Sequence, residues 1–195
     1  MISVKNLNKS FFINGKRIPI LKNINFDLVK GESLAILGKN GSGKSTLINL
    51  LAGTDKPDSG EIVSDYKISW PIGLSSGFQG SLSAKENVIF IAKIITNNDK
   101  KLIKEKIKFV KNFSEIGEYF ERPVKTYSAG MRSRLSFSLS MAFKFDLYLL
   151  DEITAAGDII FQEKCKKKLI ELKKESDFIY VSHNLGEFSS KLFKK

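Results

Sequence analysis

The chain has 195 residues, 42% of them hydrophobic and 27% charged, which suits one globular domain with a sizeable core and room for a small inserted subdomain. One cysteine, Cys165, excludes an intrachain disulfide and leaves no Cys/His metal spacing, while Met1-Ile2-Ser3-Val4-Lys5 is no signal peptide and no apolar run approaches the ~20 residues that span a bilayer. The expected place is therefore the cytosol, with docking on a membrane surface left open, and the net charge of +11 points to an anionic neighbour: nucleotide, lipid headgroups, nucleic acid or an acidic polymer.

Residues Ile2 to Leu7 alternate apolar and polar and predict a strand. Ser10-Phe11-Phe12 and a turn at Asn14-Gly15-Lys16 follow, then a second strand pattern from Ile18 to Leu28, interrupted by Pro19. A turn at Lys30-Gly31-Glu32 leads to the apolar run Ser33 to Leu37, so the opening third reads as a mostly antiparallel β region feeding a βα unit. Next comes Gly38-Lys39-Asn40-Gly41-Ser42-Gly43-Lys44-Ser45-Thr46, which fits G-x-x-x-x-G-K-[ST] at every fixed position and lies between that run and a helical pattern from Thr46 to Ala52. Its glycines let successive N–H groups turn inward around a phosphate, and the helix starting near Gly43 aims its positive end at the same anion. Lys44 is placed to reach the β- and γ-phosphates, and the Ser45 hydroxyl can bind Mg²⁺. These features predict a nucleoside triphosphate site.

Gly53 closes the loop helix, and a polar turn runs from Asp55 to Gly60. Glu61 to Ile72 is strand-like and ends at Trp70-Pro71; a glycine-spaced loop from Gly73 to Gly80 carries Gln79. Ser83 and Glu86 form a capping box for a helix to about Ile95, and Asp99 caps a second helix to about Phe113. After Pro123, Ser128-Ala129-Gly130 precedes a long helix from about Met131 to Phe143, and Leu147 to Leu150 is the short continuous apolar run of a central parallel strand. A lysine-rich helix (about Ile159 to Lys174), a strand (Phe178 to Val181), His183 and a last short helix complete the chain.

Asp151 ends an apolar strand, where open α/β sheets place ligands; its carboxylate can hold Mg²⁺, directly or through water, opposite Ser45. Glu152 is a candidate for polarising the water that attacks the γ-phosphate. A lone histidine most often packs or faces solvent, but His183 follows a parallel strand and could bond the γ-phosphate and that water. Ser128-Ala129-Gly130 makes a second anion site, from N–H groups and a helix dipole. One nucleotide does not need both sites; a dimer explains them, with ATP held between one subunit's phosphate loop and the other's Ser-Ala-Gly helix.

These residues, in this order and spacing, resemble the ATP-binding-cassette (ABC) ATPase family over nearly the whole chain. The resemblance implies an α/β ABC-type nucleotide-binding domain: a P-loop RecA-like core with an N-terminal antiparallel β region and an inserted helical subdomain. Residues 1–195 form one domain in this reading, with about 1–79 and 128–195 as core and about 80–127 as the helical subdomain. Gly38 to Thr46 looks like the Walker A motif, and Leu147 to Glu152 like Walker B with Glu152 as catalytic glutamate. Gln79 matches the Q-loop glutamine, which touches Mg²⁺ or water and senses the membrane partner. Tyr127 to Met131 takes the signature position, Asp158 that of the D-loop aspartate, His183 that of the switch histidine, and Phe11 that of the aromatic stacked on adenine, a contact worth ~1–3 kcal/mol per base.

The sequence departs from the common Leu-Ser-Gly-Gly-Gln signature at Ala129 and Met131, and Ile153 replaces the usual proline. Both resemble variants in exporters of bacterial surface polysaccharides. The stretches Ile68 to Leu82, Tyr127 to Arg134 and Ser140 to Asp146 resemble the capsular polysaccharide exporter ATPases. The family continues past the switch-histidine helix into further strands, so a chain ending at Lys195 reads as truncated or as a short version. It also lacks the carbohydrate-binding extension of some O-antigen exporters.

The implied machine is a homodimer closing on two Mg-ATP molecules and driving a separate integral-membrane permease subunit at the cytoplasmic face of the bacterial inner membrane. The helical insert around Gln79 is the expected permease contact, and no nucleic acid partner is expected. Lys100, Lys101, Lys104, Lys106, Lys108 and Lys111 form either a solvated face or a contact with anionic lipid headgroups. The alternatives are a soluble ABC ATPase acting on nucleic acid or ribosomes, and a nucleotide-binding regulator that barely hydrolyses.

Overall fold

The computed structural model describes residues 1–72, 77–151 and 158–182. Strands β1 (Ile2–Ile13) and β2 (Lys16–Leu28) form an antiparallel hairpin. Its two-residue turn is Asn14-Gly15, with φ of 50° and 74°. Positive φ at both positions gives the primed turn whose twist matches the flanking strands, and Asn-Gly adopts it at least cost. The hairpin runs through both Phe11 and Pro19, so each strand is longer than its sequence pattern predicts. Pro19 is tolerated because β2 lies at the sheet edge, where the missing N–H costs no ladder bond.

Between Val4 and Ser10 the register slips. Asn6 and Asn23 sit there at φ 49° and 47°, and the amide oxygens of Asn25 and Asn8 accept from the Asn6 and Asn23 N–H groups, each at 2.8 Å. Asparagine side chains thus replace the ladder bonds that the bulges remove.

Residues 34–37 form β3 (Leu34–Leu37), the phosphate-loop helix is α1 (Lys44–Leu51), and β4 (Ser59–Ser64) pairs antiparallel with β1, giving the order β2-β1-β4. The strand predicted from Glu61 to Ile72 stops at Ser64. Its hydroxyl accepts from the Tyr66 N–H, the Lys67 N–H donates to Asp146 at 2.8 Å, and Ile68 bridges to Leu147 in parallel. The chain therefore leaves the antiparallel sheet and runs beside the parallel one.

That second sheet has the order β3-β6-β5, with β5 (Leu147–Asp151) and β6 (Asp177–Ser182) both parallel pairs and buried at every residue. Side chains covered on both faces explain why Leu147 to Leu150 shows no alternation. One core joins the two sheets and α1: Ile2, Val4, Leu7, Leu47, Ile48, Leu149 and Val181 are all in it. Each such side chain contributes about 1.5–3 kcal/mol by leaving water.

These elements make a first unit, Met1–Pro71, Phe145–Glu152 and Leu169–Lys195; a second comprises Ile72–Lys144 and Ile153–Lys168. The second unit is helical. Helix α2 (Ala84–Ile95) starts on a complete capping box, with Ser83 Oγ accepting from the Glu86 N–H and Glu86 accepting from the Ser83 N–H. Helix α3 (Lys100–Ser114) starts on Asp99, which accepts from the Lys101 and Leu102 N–H groups. Helix α4 (Ala129–Met141) starts on Ser128, earlier than the sequence pattern predicts, because the hydroxyl accepts from the Met131 N–H at 3.2 Å.

Ser136, Ser138 and Ser140 of α4 are buried; Ser138 and Ser140 donate to the carbonyls of Arg134 and Ser136, so the hydroxyls need no water. Helix α5 (Ile159–Leu172) carries Phe161 into a ring cluster with Phe113 and Phe137 at centroid distances of 5.9 and 6.3 Å. Among the described residues no helix is long and apolar enough to cross a membrane.

Candidate functional site

The loop from Gly38 to Gly43 joins β3 to α1, and side chains approach its two end glycines closely. A Cβ on Gly38 would lie 2.5 Å from Ser42 Oγ, and one on Gly43 would lie 2.8 Å from Ile20 Cγ2. Gly43 also holds φ at 92°, a conformation costly for any other residue, and is the N-cap residue from which the first helical bond runs, Leu47 N–H to Gly43 O at 2.9 Å.

Lys44 is only 9% exposed, and its ammonium donates to the carbonyls of Gly38 at 2.7 Å and Lys39 at 2.9 Å. A long cation is thus held back over the loop that precedes it. Ser45 is exposed in the first turn of α1, Thr46 half-buried behind it, and Asn40, Gly41 and Ser42 are exposed along the loop.

The parallel register sets what faces this loop. Leu37 is level with Ser182 and Asp151 with Val181, so β3, β6 and β5 end together, and the loop and Asp151 leave the same edge of the sheet. Asp151 is 9% exposed. No group of three or more His, Cys, Asp or Glu side chains that could hold a metal occurs among the described residues. A hydroxyl and one carboxylate, Ser45 and Asp151, nonetheless fit Mg²⁺, which takes one or two protein oxygens and completes its shell with phosphate and water. Glu152 and His183 lie outside the described residues. Phe11 is on β1, 40% exposed, with the Lys9 ammonium 5.2 Å from its ring centroid.

The remaining predicted site residues belong to the second unit. Gln79 is exposed and its side chain donates to Ser81 Oγ at 3.1 Å. Ser128, Ala129 and Gly130 form the start of α4. Asp158 is joined to that same helix: its carboxylate takes the Phe161 N–H at 2.9 Å and the Arg134 guanidinium at 2.6 Å. The Phe161 N–H, and after it Arg134, hold the Asp158 carboxyl below the usual carboxylate range.

Two residues that sequence reading passed over have a place here. Arg134 also pairs with Glu115 at 3.3 Å, tying α4 to the end of α3. Asn87, 3% exposed, bonds both the N–H and the carbonyl of Gln79. The legible signal was an amide at Asn87 on the face of α2 that Ala84, Val88 and Ala92 bury, where a polar side chain needs partners.

A three-stranded parallel edge carrying a phosphate loop and an acidic strand end defines a phosphate-loop nucleotide-binding domain. Residues 21–155 match the ABC transporter family model. The chain is 51% identical over 186 residues to the polysialic acid transport ATP-binding protein KpsT of Escherichia coli, covering 95% of this chain and 82% of that protein. It is 46% identical over 184 residues to the capsule polysaccharide export ATP-binding protein CtrD of Neisseria meningitidis serogroup B, covering 94% and 83%. The solved dimeric ATP-binding cassette MJ0796, in a post-hydrolysis state bound to ADP and Pi, superposes with a TM-score of 0.80 over 95% of this chain and 89% of that one; at 24% identity this speaks of the fold. The chain belongs to the ABC transporter family, as an ATP-binding cassette ATPase.

Proposed function

We propose that this chain is the ATP-hydrolysing subunit of an exporter of capsular or other surface polysaccharide. The observation that carries the reading is the 46–51% identity with two polysaccharide-export ATP-binding proteins across nearly the whole chain, joined to a phosphate loop whose lysine is already held in place.

In this reading the loop N–H groups, the α1 dipole and Lys44 bind and neutralise the β- and γ-phosphates. Ser45 and Asp151 hold Mg²⁺, with Gln79 as a further oxygen donor; the ion supplies charge neutralisation across the phosphates. Phe11 stacks on the base. Glu152 orients the attacking water and takes its proton, and His183 bonds the γ-phosphate oxygens. Ser128, Ala129 and Gly130 approach from a second copy of the chain, which gives the anion site at the start of α4 its ligand, and Asp158 lies on that dimer face. The helical segment of about residues 80–127 is a subdomain that meets a membrane-embedded permease, at the cytoplasmic face of the bacterial inner membrane.

Pull-down of tagged Glu152→Gln protein with ATP, from gently solubilised membranes of its own host, tests this. A stoichiometric polytopic membrane protein in the eluate is the expected result. Ribosomes or nucleic acid instead, with the bait in the soluble fraction, would overturn it.

Anionic lipid is a second contact of the same subunit. On α3 the buried stripe is Ile103, Val110 and Ser114, and Lys100, Lys101, Lys104, Lys108 and Lys111 lie exposed along one flank. Each basic residue near such a surface is worth about 1 kcal/mol and is screened by salt. Binding to phosphatidylglycerol vesicles is expected to weaken at least tenfold when Lys101, Lys104 and Lys108 become glutamine, and to fall as salt rises. Binding indifferent to both would assign the stripe to solvent.

A further inference from the structure

Asn87 makes an unusual set of bonds for a helical asparagine. Its Oδ1 accepts the Gln79 N–H at 2.9 Å, and its Nδ2 donates to the carbonyls of Ser83 at 2.9 Å and Gln79 at 3.2 Å, with Leu82 O at 3.4 Å. Both backbone polar groups of Gln79 therefore end on one side chain, as they would on a neighbouring strand. The bond to Ser83 is an ordinary i−4 contact within α2; the two bonds to Gln79 are not needed by the helix. The residues beyond Gln79 are strapped down as well, by Lys125 N–H to Gly80 O and Val124 N–H to Leu82 O, both at 2.9 Å. Gln79 itself stays exposed, its amide held only by the bond to the exposed Ser81 hydroxyl at 3.1 Å while its backbone is pinned.

We infer that Asn87 is a positioning residue for Gln79: a buried amide at the start of α2 sets the backbone from which the glutamine side chain reaches its ligand. The inference rests on the role given to Gln79 in the proposed ATPase cycle. A side chain that must meet an ion or water within a few tenths of an ångström needs a fixed Cα, because a misplacement of about 1 Å can cost about a hundredfold in rate. A single exposed loop residue has no core contacts to fix it, and two hydrogen bonds to a side chain that is itself 3% exposed do so.

The test separates positioning from folding. Asn87→Ser keeps an i−4 bond to the Ser83 carbonyl, of the kind Ser138 and Ser140 make in α4, but is too short to reach Gln79. The variant is expected to melt within a few degrees of the parent. It is expected to lose about tenfold in kcat with KM for ATP nearly unchanged. On a Gln79→Ala background the same substitution should cost less than twofold, because the side chain it positions is gone. An equal loss in both backgrounds, or none in the parent, would overturn the inference.

Hydrogen exchange on the unmodified chain provides a readout that needs no variant and no turnover. The Gln79 amide should exchange slowly although the residue is exposed; fast exchange would mean the clamp does not exist in solution. An absence of ATP hydrolysis by the parent, with a slow Gln79 amide, would refute the ATPase reading and leave the clamp standing.

Discussion

Lys44→Ala is expected to weaken ATP binding roughly a hundredfold while leaving the fold intact. The ammonium is nearly buried and lies against the carbonyls of Gly38 and Lys39, so it is already oriented within the loop. Little side-chain entropy remains to be lost when a phosphate arrives. A hydrogen bond to a charged group contributes about 1.5–3 kcal/mol, so loss of one or two such bonds to the nucleotide gives about 3 kcal/mol, or roughly a factor of 100 in Kd. The cost to folding is smaller. Two carbonyls lose a donor but can turn to water, at about 1 kcal/mol, which lowers Tm by about 2–4 °C in a chain of this size. Titration with a fluorescent ATP analogue, beside a thermal melt, separates the two effects. Lys44→Arg should not rescue, since a planar guanidinium cannot fit where the ammonium meets two backbone carbonyls. Unchanged affinity in Lys44→Ala would remove the phosphate loop from the mechanism.

The second large effect is on turnover alone. Glu152→Gln keeps the size and polarity of the side chain and removes its negative charge. A group that orients water and takes its proton typically contributes 10²–10⁴-fold, so kcat is expected to fall by about a thousandfold. The phosphate loop does not depend on that charge, and ATP affinity should stay within about threefold of the parent. If dimers close on ATP, the variant should also accumulate as an ATP-dependent dimer in size-exclusion chromatography. Parent-like turnover would show that another residue handles the water. A monomer with ATP bound would keep the site and refute the sandwich.

Much of the first unit was legible because local chemistry there agrees with the fold. Asn14-Gly15 can form one kind of hairpin turn, the Gly38 to Thr46 spacing admits few structures other than a phosphate loop, and an unbroken run such as Leu147 to Leu150 needs cover on both faces. The helix starts at Ser83 and Asp99 were legible for the same reason: a cap satisfies N–H groups within a few residues of itself. The resemblance to the ABC family, read from motif order, agrees with the family match and with the superposed cassette.

What stayed hidden depends on partners far away in the chain. The stretch after Ser64 has the composition of a strand, and nothing local says that Asp146 and Leu147 will take its next hydrogen bonds. Pro19 looked like an interruption until β2 proved to be an edge. The pairing of Arg134 with Asp158 and Glu115 exists only because α4, α5 and the end of α3 meet. By itself the sequence determined the class of chemistry and the capped starts of α2 and α3, because those follow from residue type and spacing over a handful of positions. Tertiary structure alone decided that Lys44 rests on two carbonyls, that Asp151 ends level with the loop strand, and that Asn87 holds Gln79. Each of these turns on distances of a few ångströms between groups whose meeting is set by how sheets and helices pack, which no short-range pattern encodes.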